Sequence, residues 1–135
     1  MNRAEVASHF PQWCPPFFYD STYAKPKLAW LTDKFWPWFK TTRWKNNLDK
    51  WTRKNDCDNF ARAYCVLVQD AHADTPLSED EGLAVGEFCY VKSTGEAHAI
   101  VVALTDVGLV YIEPQTGEVL TLTPQEKASC FRVSF

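Results

Sequence analysis

Hydrophobic positions recur every three to four residues before position 74 and alternate in short runs after position 82. Cys57, Phe60, Ala61, Tyr64, Val68 and Ala71 fall on one face of a helix, so a helix is predicted over residues 55–73 with Cys57 turned toward the protein. Asn55 is the expected N-cap and Asp58, three residues on, completes a capping-box-like pair. Asp56 and Asp58 suit the positive end of the helix dipole. The helix should stop before the acidic loop from Asp74 to Gly82, where Thr75-Pro76 ends it. Beyond Gly82, the runs Leu83 to Lys92, Ala97 to Thr105, Leu109 to Glu113 and Glu118 to Thr123 are separated by turn residues, among them Gly95, Gly108 and Gly117. They read as an antiparallel meander, with a last strand, Cys130 to Phe135, returning to its edge.

The first 54 residues are punctuated by Pro11, Pro15, Pro16, Pro26 and Pro37, so early helices should be short or begin at these points. One is expected from Thr41 or Thr42 to Trp51, with Trp44, Leu48 and Trp51 as its apolar stripe. Helices first and strands afterwards give an α+β domain over residues 1–135: an aromatic-rich helical and loop segment (1–54), a Cys-bearing helix (55–73) and an antiparallel sheet (83–135). Aromatic residues make up 15% of the chain and crowd its first half, which rules out a disordered tail there.

Charge divides the same way. Residues 1–55 carry ten Lys or Arg against four acids, and residues 56–135 carry four against thirteen. The first half could meet an acidic partner, although packing against its own acidic half explains the division more simply. The five cysteines show no CxxC pair or regular spacing, so reduced thiols are expected rather than a disulfide framework or a zinc ribbon. No leader-like sequence opens the chain and no apolar run approaches the ~18 residues of a bilayer span, so a cytoplasmic protein with no membrane contact is expected.

Three residues fall in an order with chemical meaning: Cys57 at a helix start, His98 on a strand and Glu113 at the end of the next strand. Unpaired N–H groups at a helix start favour thiolate, a facing histidine can move the thiol proton, and a carboxylate can hold the imidazole by its other nitrogen. Gln115 competes with Glu113 for that last role, since alternation puts both on one side. Taken singly, each residue also has a structural explanation: a small apolar core residue, a strand histidine and a charge before a turn.

This order resembles the papain-like and transglutaminase-like cysteine peptidase superfamily. Asp56-Cys57-Asp58-Asn59-Phe60 is similar to its Asp-Cys-x-x-Phe opening, and Glu113-Pro114-Gln115 to its Asp-Pro-Thr. The similarity is nearest to the papain-like C-terminal domain of the fungal agglutinin from Marasmius oreades and extends to small phage-encoded domains. It implies a papain-like core and a cysteine hydrolase or acyltransferase acting on an amide, isopeptide or thioester of a protein, peptide or other acyl substrate. Cys57 would be the nucleophile, His98 the acid/base and Glu113 the orienting residue. Where such proteases place an oxyanion-binding glutamine, this chain has Trp51, which leaves the Cys57 backbone N–H and Asn55 as donors. The resemblance also implies calcium, for which Asp56 and Asp58 are the nearest carboxylates; without a cation they oppose the thiolate.

The alternative is a binding module without catalysis. Lys34, Lys40, Arg43, Lys45 and Lys50 interleave with Trp36, Trp38, Phe39 and Trp44, a combination suited to nucleic acid or a glycan.

Overall fold

The computed structural model describes residues 1–73 and 81–135, so most of the loop expected from Asp74 to Gly82 lies outside the described residues. Along the chain run α1 (Arg3–Ala7), β1 (Tyr23–Ala24), α2 (Leu28–Trp30), a π-turn (Leu31–Phe35), α3 (Trp36–Lys45) and α4 (Cys57–Ala73). Then follow β2 (Gly82–Leu83), β3 (Val85–Val91), β4 (Ala97–Thr105), β5 (Gly108–Ile112), β6 (Val119–Leu120), α5 (Pro124–Ala128) and β7 (Arg132–Ser134). The expected α+β organisation is present: β3 to β6 form an antiparallel meander, and β7 pairs with β3 to give the order β6-β5-β4-β3-β7. Gly86 permits that last pairing, because a Cβ there would sit 2.1 Å from the Ser134 carbonyl oxygen.

Strand alternation sends Val85, Ala99, Val101, Ala103 and Ile112 to one sheet face, where Phe60, Tyr64 and Val68 of α4 pack on them. Phe35 and Phe39 close this layer, with ring centroids 4.8 and 5.2 Å from Tyr64. Phe88, Tyr90, Ile100, Val102, Leu104 and Tyr111 line the opposite face. The chain ends cover it through Val6, Phe10, Cys14, Phe18, Tyr23 and Phe135. Each of the larger fully buried side chains contributes roughly 1.5–3 kcal/mol of transfer free energy.

Three local expectations are corrected. The early prolines do not keep helices short: α2, the π-turn and α3 run without a break from Leu28 to Lys45, through Pro37. Pro37 has no N–H to donate, and the widened turn before it, in which Trp36 N–H reaches back to the Leu31 carbonyl, accommodates its ring. Leu31, Phe35, Phe39 and Arg43 thereby form one buried stripe.

The helix expected to reach Trp51 ends at Lys45, with Asn47 left-handed at φ 56°, and Trp44, Leu48 and Trp51 are exposed. The strand expected from Glu118 to Thr123 shortens to β6, Val119–Leu120, and helix α5 follows it. Its Thr123 cap accepts from Glu126 N–H while Glu126 accepts from Thr123 N–H.

Candidate functional site

β5 ends at Ile112, and the turn that follows determines where Glu113 points. Glu113 N–H donates to the Glu118 carbonyl at 2.9 Å, and Gly117 N–H donates to the Glu113 carbonyl at 2.8 Å. Gly117 is left-handed, with φ 76°, and the Trp36 ring lies where its Cβ would be. Trp36 Nε1 also donates to the Pro114 carbonyl at 3.0 Å, so the long N-terminal helix buttresses this turn. Within it, Glu113 Oε1 accepts Gln115 N–H at 3.2 Å, and Oε2 lies 2.7 Å from His98 Nε2. Glu113 rather than Gln115 therefore meets the imidazole. His98 Nδ1 has no hydrogen bond among the described residues, which leaves one ring nitrogen available.

The pair lines a cleft of about 350 Å³ together with residues that include Tyr90, Thr94, Thr121 and Glu126. The Tyr90 ring lies edge-on to His98, centroids 6.0 Å apart. Burial raises the Tyr90 phenol above its ordinary value, and the charges of Glu126 and Glu113 add to the shift. Glu126 is held below the usual carboxylate range by N–H groups of Thr123 and Ser93. The cleft thus offers carboxylate acceptors, hydroxyls and one imidazole.

Cys57 occupies the first turn of α4, as expected, and is half-buried. It packs on Ala61, Cys89 and Ala99, the α4 face of the sheet. Alternation along β4 turns Ala99 to that face, while the neighbouring His98 meets Tyr90 on the other. No hydrogen bond joins Cys57 to His98. The expected trio is therefore assembled as a His98–Glu113 pair with Cys57 outside its hydrogen bonding.

Asn55 is neither the N-cap nor a free donor. Its carbonyl oxygen accepts from Arg43 Nη2, and its amide donates to the carbonyls of Leu48 and Lys50 at 2.9 and 2.8 Å. At the helix start, Asp56 N–H instead donates to Asn59 Oδ1 at 3.2 Å. The neighbouring carboxyls of Asp56 and Asp58 act on each other, which lowers the pKa of the first and raises that of the second. Arg62 lies 2.8 Å from Asp58. Two carboxylates, one of them engaged by an arginine, do not provide the six to eight oxygens that calcium takes. Among the described residues no group of three His, Cys, Asp or Glu could hold a metal ion.

Two further expectations change. Cys14 and Cys130 form a disulfide, which corrects the reading of five reduced thiols; spacing missed it because the partners lie 116 residues apart and only folding brings them together. The basic aromatic stripe is also divided by packing. Phe39 is buried, Arg43 lies over the Phe60 ring at 4.9 Å, and Lys40 lies over Trp36 at 5.2 Å. Sequence reasoning overlooked Tyr90, Glu126 and Glu87. The signal for Glu87 was a lone carboxylate in an otherwise apolar strand.

Comparison with known proteins gives no matching family model and no matching curated protein. Among solved structures, the Polyporus squamosus lectin bound to the human-type influenza-binding epitope Neu5Aca2-6Galb1-4GlcNAc matches all of this chain, with a TM-score of 0.78 and 17% identity. The chain shares its fold with about half of that lectin's chain. A second structure, of a PSL1a-E64 complex, also matches the whole chain, with a TM-score of 0.78 and 19% identity. This chain spans about half the length of both, 49% and 51%. These neighbours overturn the resemblance to papain-like and transglutaminase-like peptidases, and with it the expectation of a cysteine protease or hydrolase. The mixed helix and five-stranded antiparallel sheet remain; the papain-like core is not supported. No helix among the described residues is long and apolar enough to cross a membrane.

Proposed function

We propose that this chain is a glycan-binding domain, the alternative that its sequence left open. The observation that carries this reading is the likeness of the whole chain, at a TM-score of 0.78, to a lectin seen with a sialylated trisaccharide. The surface chemistry agrees with it. Tyr19, Trp38, Trp44 and Trp51 are exposed, and aromatic faces of this kind stack on sugar rings, while the clefts are lined by the carboxylates and hydroxyls that bond sugar hydroxyls. Isothermal titration with Neu5Aca2-6Galb1-4GlcNAc, together with a glycan array, tests it. Saturable binding to at least one glycan is the expected result; no binding to any glycan at millimolar concentration removes the reading.

A second reading concerns Cys57, His98 and Glu113 alone, and the 2.7 Å contact between His98 and Glu113 favours it. An imidazole held by a carboxylate, one residue from the Ala99 on which Cys57 packs, accepts the thiol proton only if His98 leaves Tyr90 and swings to the α4 side, which would leave sulfur open to an electrophile. Iodoacetamide labelling followed by peptide mapping tests this. His98→Ala should slow labelling of Cys57 at least tenfold, and an unchanged rate would show that the imidazole does not act on the thiol.

A further inference from the structure

A second cleft, of about 440 Å³, lies between α4 and the β7 edge, away from His98 and Glu113. Its wall contains Glu87, only 2% exposed although it carries a carboxylate. Arg62 Nε lies 3.6 Å from Glu87 Oε1, and Arg132 Nη2 lies 3.3 Å from Oε2. Oε1 nevertheless has no hydrogen-bond partner among the described residues. Both arginine side chains are about half-exposed, at 51% and 50%, so Glu87 fixes two guanidinium groups that retain N–H donors of their own.

The remaining lining matches this polar group with apolar surface. Val66, Val85 and Phe135 supply the apolar part, and Tyr19, 74% exposed, stands beside it with its ring edge-on to Phe17 at 5.1 Å. Asp20 and Asp70 bring the lining carboxylates to three, against two guanidiniums. That balance disfavours an anionic group and suits a neutral molecule that both donates and accepts hydrogen bonds. A sugar ring has this character: hydroxyls around its rim and a C–H face that stacks on an aromatic ring.

Resting on the glycan-binding reading, we infer that this cleft is the sugar subsite and that it takes an uncharged hexose or N-acetylhexosamine unit. Tyr19 stacks on the C–H face of the sugar, and the Glu87–Arg62–Arg132 group bonds its hydroxyls. The test titrates the uncharged disaccharide Galb1-4GlcNAc, and separately the sialylated trisaccharide, into the wild type and three variants. Glu87→Gln perturbs a buried ion pair and is informative only if circular dichroism shows it folded. Tyr19→Ala changes an exposed ring and keeps the test independent of folding. His98→Ala probes the competing cleft.

The disaccharide should bind the wild type, and bind Tyr19→Ala at least tenfold more weakly. Sugar binding that survives Tyr19→Ala but is lost in His98→Ala overturns this subsite and leaves the glycan reading standing. Binding of the trisaccharide without the disaccharide overturns the preference for an uncharged unit. A wild type that binds no glycan on the array removes both inferences together.

Discussion

The two faces of the five-stranded sheet are built from different materials. Under α4 the strands present small and branched residues, Val85, Ala99, Val101 and Ala103, because a regular helix lies flat on them and satisfies its own backbone. The other face is covered by the chain ends, which have little regular structure. It fills the space with the aromatic rings of Phe88, Tyr90 and Tyr111 and ties the ends down by backbone bonds from Phe17 to Val133 and from Tyr19 to Phe135, and by the Cys14–Cys130 disulfide. An irregular cover must bring partners for its polar backbone, and it does so at the sheet margin. The polar clefts open at that margin, lined in part by residues of the two layers, Val85 and Phe135 in one cleft and Tyr90 in the other.

If both faces are true cores, Phe39→Ala on the α4 side and Phe88→Ala on the other should each lower the unfolding free energy by about 3–5 kcal/mol in urea titrations. A much smaller loss for Phe88→Ala would show that the irregular cover is loosely packed. The double variant Cys14→Ser, Cys130→Ser comes next, with an expected loss of about 2–4 kcal/mol. Hydrogen exchange should then rise at Phe17 and Tyr19 and stay unchanged in α4; a rise in α4 instead would mean that the two faces are not independent.

The pH dependence is smaller still. The carboxyl of Glu126 is depressed in the folded state, so its contribution is present above its unfolded pKa and is lost as pH falls through the lower folded value. Glu126→Gln should flatten that acid limb of the melting temperature, and an unaltered limb would show that the Ser93 and Thr123 contacts contribute nothing. The least effect on stability is expected from Cys57→Ala, within about 1 kcal/mol, because this half-buried side chain lies at the edge of its layer. The accompanying labelling pattern is sharper. Burial pushes the Cys65 thiol up and the Cys89 thiol up to about 12, so Cys57 should react well before either at neutral pH. Equal labelling of all three would place Cys57 with the core thiols.

Much of this architecture can be read in the chain because periodicity is a local property. The three-and-four spacing from Cys57 to Ala71 locates α4, strand alternation gives the bounds of β4 at Ala97–Thr105, and the turn residues give the meander order. Helix α5 went unread, although Thr123, Pro124 and Glu126 carry its start signals. The stripe from Leu31 to Arg43 was hidden by Pro37, whose effect depends on the hydrogen-bond register of the turn before it.

Which residues share a site was less accessible to local patterns. The chain contains the order Cys57, His98, Glu113, but whether a strand residue points to the helix or away depends on the parity of the pairing, and here that parity gives Ala99 to Cys57 and His98 to Tyr90. The choice of Glu113 over Gln115 was made by a turn pressed against Trp36, a residue 77 positions earlier. The same holds for Cys14 with Cys130 and for Glu87 with its two arginines. Secondary structure follows from interactions within a few residues and is written in their spacing; the clefts depend on contacts between distant segments, which only the packed sheet brings within bonding range.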